Sequence, residues 1–586
     1  MFSGGGCMKK EKSNFLRNIK KTWVFIKECK SNLIGYASVS IVEAIIGAVL
    51  PLISAKIILN ITNGLMAQLI LSALAVLIIE LILYTMYYFK VYLYQKIYQK
   101  TLVNLQIAVA RETLKLEIKE IDKASSGVFI DRLNKDTQDI SGMFMEYAYW
   151  TSYVITNIGV LVAIFILNKY LFGYAIITSI CIFLINKKRL SKQYEVQKNL
   201  KKIQEKKTGL TGELVRGIRD IKVLNATNTI LKQTSNKIIE ASNEEIKMLN
   251  IRSNYHYLES NLRSISDFIF IIIGCLLYNN NLLTIPTFVI IYNYQPKIKN
   301  LLTGIVQILE YNKKFVVSSD RIYEVIENSK FEKEKFGTLD IKKLEGNIKF
   351  DNVSFGYDEK NKIIDKMSFE ITPNQKVAFV GKSGAGKTTI FSLITRLYSI
   401  NRGKILIDNN NINELTCNSL RSNMSIITQN PYIFNFSIKE NLLLAKENAS
   451  MEEIREACKM ACIDDFIMSL PNKYETMVGE NGVILSGGQK QRLAIARALL
   501  LKTEIILFDE ATSALDNETQ SKIQNAIENL KGEYTILIVA HRLSTVIDCD
   551  KIFVVDDGKI LDSGSHKELL KKCEFYKNLY EKDLNV

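Results

Sequence analysis

Nine cysteines are scattered through the 586 residues with neither metal-site spacing nor a pairing pattern. Cys458 and Cys462 are expected to share a helical face, but no second pair of ligands accompanies them. Reduced thiols are therefore expected, and a zinc or disulfide scaffold is excluded. Histidine is scarcer still, with three residues, and His256 and His566 have no motif around them and read as ordinary surface or interface residues. The opening MFSGGGCMKK lacks the apolar stretch of a cleavable signal and reads as an added leader, which leaves insertion to the first long apolar run.

Long apolar runs are what the first half has in quantity. A bilayer crossing takes about 20 residues, and six runs qualify, at about 32–58, 67–89, 147–167, 170–186, 260–278 and 282–304. Soluble helical cores rarely repeat runs such as LILSALAVLIIELILYTMYY. Lys9, Lys10, Lys12, Arg17, Lys20, Lys21, Lys27 and Lys30 precede the first run and Lys187, Lys188 and Arg189 follow the fourth. The connections at 60–64 and 279–281 hold no charge. The positive-inside rule then puts both termini in the cytoplasm, with the plasma membrane the expected location. The surplus behind the net charge of +15 lies largely beside the membrane, where anionic lipid attracts it, so nucleic acid is not an expected partner.

The second half carries chemistry on short motifs. GKSGAGKT (381–388) fits a phosphate loop: backbone N–H groups of Gly381, Lys382, Ser383, Gly384, Ala385 and Gly386 cradle phosphates, Lys387 reaches the outer ones, and the Thr388 hydroxyl, followed by Thr389, suits Mg²⁺. LSGGQ (485–489) opens a helix with Ser486, Gly487, Gly488 and Gln489, which turns bare N–H groups and a positive dipole end toward an anion. EIILFDE ends an apolar strand on Asp509, at the edge where open α/β sheets bind ligands, and a carboxylate there suits Mg²⁺ held through water. Glu510 follows it and is free to orient the attacking water.

Together these motifs resemble the nucleotide-binding domain of the ATP-binding cassette (ABC) family, over roughly 347–580. The resemblance implies ATP and Mg²⁺ as cofactors, Tyr357 as the adenine-stacking ring, and Gln429 as a group touching Mg²⁺ that reports nucleotide to the membrane part. It gives Asp516, in the SALD loop 513–516, contact with the partner cassette and makes His541 the switch on the terminal phosphate. The catalytic pair is then Glu510 and His541, the metal set Thr388, Gln429 and Asp509. In this family LSGGQ completes the ATP site of the opposite cassette, so a chain with one copy of each part is expected to pair with a second copy of itself or with a related half-transporter.

Membrane part first and cassette second, on one chain, resembles an exporter half. The expected fold class is a six-helix α transmembrane domain joined to an α/β phosphate-loop domain, divided as 1–30 cytoplasmic segment, 31–330 membrane domain, 331–346 charged linker and 347–586 cassette. The long polar stretches 93–145 and 187–258 resemble cytosolic helical extensions. Segment 121–136, with Gly127 at its turn, and segment 212–226 are similar to coupling helices, and Glu480 in VGENG is similar to the loop that senses them. About 30 residues before the first run are too few for the peptidase domain of some peptide exporters, so drugs, lipids and peptides all stand as substrates. An ATP cycle that gates a channel or regulates a partner is the alternative, and the six runs set aside a soluble cassette ATPase. Glu43, Glu80, Asp267 and Lys297 lie inside the runs, where an ionisable group signals function. An Asp267–Lys297 pair is one expectation; Glu43 and Glu80, with no basic partner in their own runs, lining a cavity for a cationic substrate is the other.

Overall fold

The computed structural model describes residues 4–584, apart from 63, 125, 328, 359–360, 480–481, 511–516, 529–530 and 541–542. Two compact units result, residues 1–116 with 120–332, and residues 117–119 with 333–586.

The described elements of the first unit are all helical: α1 (Gly4–Ile26), α2 (Lys30–Thr62), α3 (Met66–Thr113), most of α4 (Ile118–Lys123), α5 (Ser126–Asp131), α6 (Thr137–Leu167), α7 (Lys169–Arg216), α8 (Ile218–Val223), α9 (Thr227–Asn279) and α10 (Ile285–Ile326). Hydrocarbon offers no hydrogen-bond partner, so an apolar run that enters it closes its backbone bonds within a helix. Among the described residues four runs are long and apolar enough to cross a membrane, in α3, in 127–167, in α7 and in α9. The apolar window of α3 has no buried residue, and Leu74, Leu77 and Leu81 are more than half exposed, the pattern of a surface whose solvent is lipid. The other two expected runs fall in α2 and α10. Several helices outlast their apolar runs, and α3, α7 and α9 carry on without a break into the polar stretches.

Local signals set the turns. Asn168, at extended backbone angles, accepts from Tyr170 N and Leu171 N at 3.0 and 3.1 Å and so starts α7 directly after α6. Thr284 caps α10 ahead of Pro286. Two sequence expectations need correction. Gly127 lies within α5, which runs Ser126–Asp131, and not at a turn. Helix α14 (Met451–Met460) ends short of Cys462, which sits at φ +54°, so Cys458 and Cys462 share no helical face. The basic residue that meets Glu43 lies outside its own run: Lys90, one residue beyond the second run, reaches it from α3.

The second unit is built on two sheets. A four-stranded antiparallel sheet has the order β2 (Ile364–Ile371), β1 (Ile348–Phe355), β4 (Arg402–Ile407), β5 (Asn410–Asn411). The six-stranded sheet runs β10 (Lys559–Gly564), β9 (Lys551–Asp556), β3 (Lys376–Val380), β8 (Thr535–Val539), β7 (Ile505–Asp509), β6 (Met424–Ile427), parallel except for β10. Every residue of β3 and β7 is buried, as a parallel sheet covered on both faces requires. Helices α11 (Lys387–Ile394), α12 (Cys417–Arg421), α13 (Ile438–Leu443), α14, α15 (Asp464–Ser469), α16 (Gly487–Leu501), α17 (Asn517–Glu528), α18 (His566–Lys572) and α19 (Glu574–Leu584) complete it.

Candidate nucleotide site

Parallel strands open their C-terminal ends at one edge, and here β3, β6 and β7 deliver the site to that edge. The loop after β3 turns through Gly381, Gly384 and Gly386, at φ +156°, +82° and +99°, a region that L side chains rarely adopt. A Cβ on Gly381 would sit 2.0 Å from the Val555 carbonyl oxygen, whereas one on Gly384 would meet nothing within 4 Å. Lys387, 5 % exposed at the start of α11, donates across the loop to the carbonyls of Gly381 and Lys382 at 2.9 and 2.8 Å. Burial lowers its ammonium pKa, opposed by the Glu510 and Asp509 carboxylates.

From β7 comes Asp509, whose Oδ1 accepts from Thr388 Oγ1 at 2.9 Å. Glu510 turns the chain at φ +52°, a strained conformation for a residue with a Cβ, and its N–H donates to Val539 O at 3.0 Å. Gln429, just past β6, donates from Nε2 to Glu510 Oε2 at 2.6 Å. Thr388, Asp509, Glu510 and Gln429 thus form one chain of contacts beside Lys387. Hydroxyl, carboxylate and amide oxygens are hard donors, and no cluster of three His, Cys, Asp or Glu exists among the described residues. Such a sparse set fits Mg²⁺, which takes one or two carboxylates together with substrate phosphates.

Tyr357 is half exposed, held edge-on by Phe355 and Tyr398, both at 5.0 Å, with its hydroxyl 3.3 Å from Thr389 Oγ1. Ser486 caps α16, its hydroxyl accepting from Gln489 N at 3.2 Å while Gln489 Oε1 accepts from Ser486 N at 2.8 Å. The segment expected to meet an anion is therefore an exposed, rigid helix start. Asp516 and His541 lie outside the described residues, as does Glu480.

Motif reading missed the residues that tie the pieces together. Gln491, 2 % exposed on α16, donates to the Gln429 carbonyl at 3.2 Å. Arg497 donates to the carbonyls of Tyr432 and Asn441, both at 2.9 Å, and burial lowers its pKa. Their one sequence signal is polarity within a helix whose neighbours are apolar. A cavity of about 510 Å³ beside them is lined by residues including Arg421, Pro431, Tyr432 and Arg497.

Comparison with known proteins agrees with this geometry. Residues 364–513 match the family model described as ABC transporter, and residues 33–297 match the ABC transporter transmembrane region. The ATP-dependent lipid A-core flippase of Blochmanniella pennsylvanica (strain BPEN) is 30 % identical over 492 residues, 82 % of this chain and 83 % of that one. YgaD of Bacillus subtilis (strain 168), whose name assigns it provisionally to multidrug export, is 39 % identical over 313 residues, 53 % of this chain and 54 % of its own. In fold, a bacterial Atm1-family ABC exporter solved with ATP bound superposes with a TM-score of 0.85 at 24 % identity, over 94 % of this chain and 98 % of that one. A phosphate loop, a strand-end Asp-Glu pair and a capped signature helix, on one chain with membrane-length helices, make this protein a member of the ABC transporter family, an exporter whose ATPase is coupled to transport across a membrane.

Proposed function

We propose that two copies of this chain form an exporter that moves an amphipathic substrate outward from the cytoplasm or inner leaflet by alternating access. The observation that carries the reading is the contact chain Thr388–Asp509 and Gln429–Glu510 beside buried Lys387. It supplies the phosphate side of an ATP site, while the exposed start of α16 offers Gly487 and Gly488 amides to a ligand held elsewhere. One chain has one of each, so a symmetric pair makes two sites, and a related half-transporter is the other partner of the same form.

In this reading Lys387 and the loop amides hold the phosphates, Tyr357 the base, and Thr388, Asp509 and Gln429 the Mg²⁺. When bound, that ion neutralises phosphate charge. Glu510 orients the attacking water and takes its proton, Gln429 keeps the carboxylate aimed, and His541 and Asp516 complete the closed site. ATP drives closure only by binding the closed dimer more tightly than the open one. Both termini face the cytoplasm, the membrane is the plasma membrane, 31–330 is the membrane domain with six spans, and 331–346 links it to the cassette 347–586. In this reading the segments 121–136 and 212–226 are the coupling segments, and Glu480 belongs to the loop that senses them. The names of the relatives favour lipids and drugs over peptides as cargo.

The test is transport in inside-out proteoliposomes. ATP should drive accumulation of a fluorescent amphiphile against its gradient, and Glu510→Gln should abolish it. Flux that halts once the gradient is dissipated would instead support a gated channel.

A further inference from the structure

In the first unit, residues far apart in sequence gather around two carboxylates. Lys90 Nζ, on a side chain 7 % exposed, bonds Glu43 Oε2 and lies 5.8 Å from the Tyr36 ring centre and 5.7 Å from that of Tyr149. A carboxylate and two ring faces around an ammonium are the elements by which proteins bind organic cations, and here the chain supplies its own cation. Glu146, half-buried on α6, accepts from Trp150 Nε1 at 3.1 Å and hydrogen-bonds the Tyr311 hydroxyl of α10. Among the described residues no lysine or arginine pairs with it. Trp150 in turn meets Tyr149 and Tyr153 edge-on at 5.2 and 5.5 Å. On the facing helix stands Gly304, where a Cβ would come within 3.2 Å of Tyr153 and 3.5 Å of Trp150.

Among the described residues Lys90 pairs with Glu43 and no lysine or arginine pairs with Glu146, so the Glu146 charge stands unmatched amid aromatic rings. An intramembrane or interfacial carboxylate is costly unless it is matched. Tyr36 is 3 % exposed and packs with Met145 and Ile97 inside the helices, Trp150 and Tyr153 are partly buried, and Tyr149 is 45 % exposed, so the ring cluster runs from the helix interior to an open edge.

We propose that this cluster binds an amphipathic organic monocation: Glu146 supplies the charge, the Trp150, Tyr149 and Tyr153 rings supply the walls, and Lys90, by occupying Glu43, limits the site to one positive charge. The inference rests on the exporter reading above and names the substrate class of that exporter.

The chain reports on the site through its own fluorescence, since tryptophan occurs only at 23 and 150. Full-length protein carrying Trp23→Phe, in lipid nanodiscs without ATP, is titrated with tetraphenylphosphonium and with neutral triphenylphosphine oxide while Trp150 quenching is read. Glu146→Gln should weaken phosphonium binding roughly tenfold to hundredfold, the range for loss of a charged partner, and leave the neutral probe unchanged. Lys90→Gln should act in the opposite direction, binding the phosphonium several-fold tighter and gaining affinity for a bis-quaternary dication. Equal phosphonium affinity in parent and Glu146→Gln overturns the site, as does equal loss of both probes without a gain in Lys90→Gln. Should Glu146-dependent binding be found without ATP-driven accumulation in proteoliposomes, the exporter reading falls and the cation site stands. Should other amphiphiles accumulate while the phosphonium fails to bind, the cation site falls and the exporter reading stands.

Discussion

The proposed nucleotide site and the proposed cation cluster of the helix bundle would each hold a charged ligand, yet they are encoded in different ways. In the cassette, backbone amides and adjacent side chains do the work, so eight consecutive residues, 381–388, hold most of one wall and Asp509 and Glu510 are neighbours. In the bundle, Glu43 meets Lys90 across 47 positions, and Tyr311 reaches Glu146 from another helix. Binding by backbone forces residues to be local. Binding by side chains between helices leaves them free to be dispersed.

The sharpest way to break this contrast is at Glu510. Glu510→Gln keeps the volume and removes the charge, and ATP turnover should fall roughly 10²- to 10⁴-fold, the usual span for a positioned general base, with ATP binding retained in a filter assay. Parental turnover in that variant would dislodge Glu510 from its role. Next in size, Lys387→Ala should weaken nucleotide binding roughly tenfold to hundredfold, since a charge-assisted contact is lost. Unchanged affinity by calorimetry would mean that the loop amides suffice.

The bundle counterpart is a paired test. Glu43→Gln leaves Lys90 buried without its carboxylate, and breaking such a pair costs about 3–5 kcal/mol. Adding Lys90→Met should recover most of the lost melting temperature, whereas simple additivity of the two losses would show that the pair is not a unit. Within the cassette, Gly381→Ala should abolish nucleotide binding, because the new Cβ collides with the Val555 carbonyl. Gly384→Ala meets open space and should cost only the roughly 1–2 kcal/mol of a left-handed alanine. Equal effects by thermal shift would refute the cradle geometry.

The smallest expected effect is a pH dependence. His566 bonds the Tyr576 hydroxyl at 2.8 Å, and burial holds its pKa below the ordinary value, against the weaker pull of Asp548. A base with a depressed folded pKa favours the fold while neutral. Its contribution is thus present above about pH 6.5, the unfolded value, and is lost as the pH falls from there toward the lower folded one. Melting of His566→Gln should be flatter than the parent between pH 7 and 5.5. A parallel decline in both would place the acid sensitivity elsewhere.

Sequence by itself determined the helix-rich first half, the α/β second half, the glycine-rich loop from Gly381 to Thr388 and the place of Asp509 and Glu510 at a strand end. Each depends on periodicity or on neighbours along the chain, which a sequence displays directly. Asp516, His541 and Glu480 rest on resemblance alone, since they fall outside the described residues. Only the tertiary structure decided that Gln429 holds Glu510, that Gln491 and Arg497 fasten the signature helix to the Gln429 loop, that Glu43 is matched by Lys90, and that Glu146 is the carboxylate left among the rings. Those contacts join residues tens to hundreds of positions apart. Their partners are chosen by which helix faces and strand ends meet when apolar surface is buried, and no spacing along the chain records that choice.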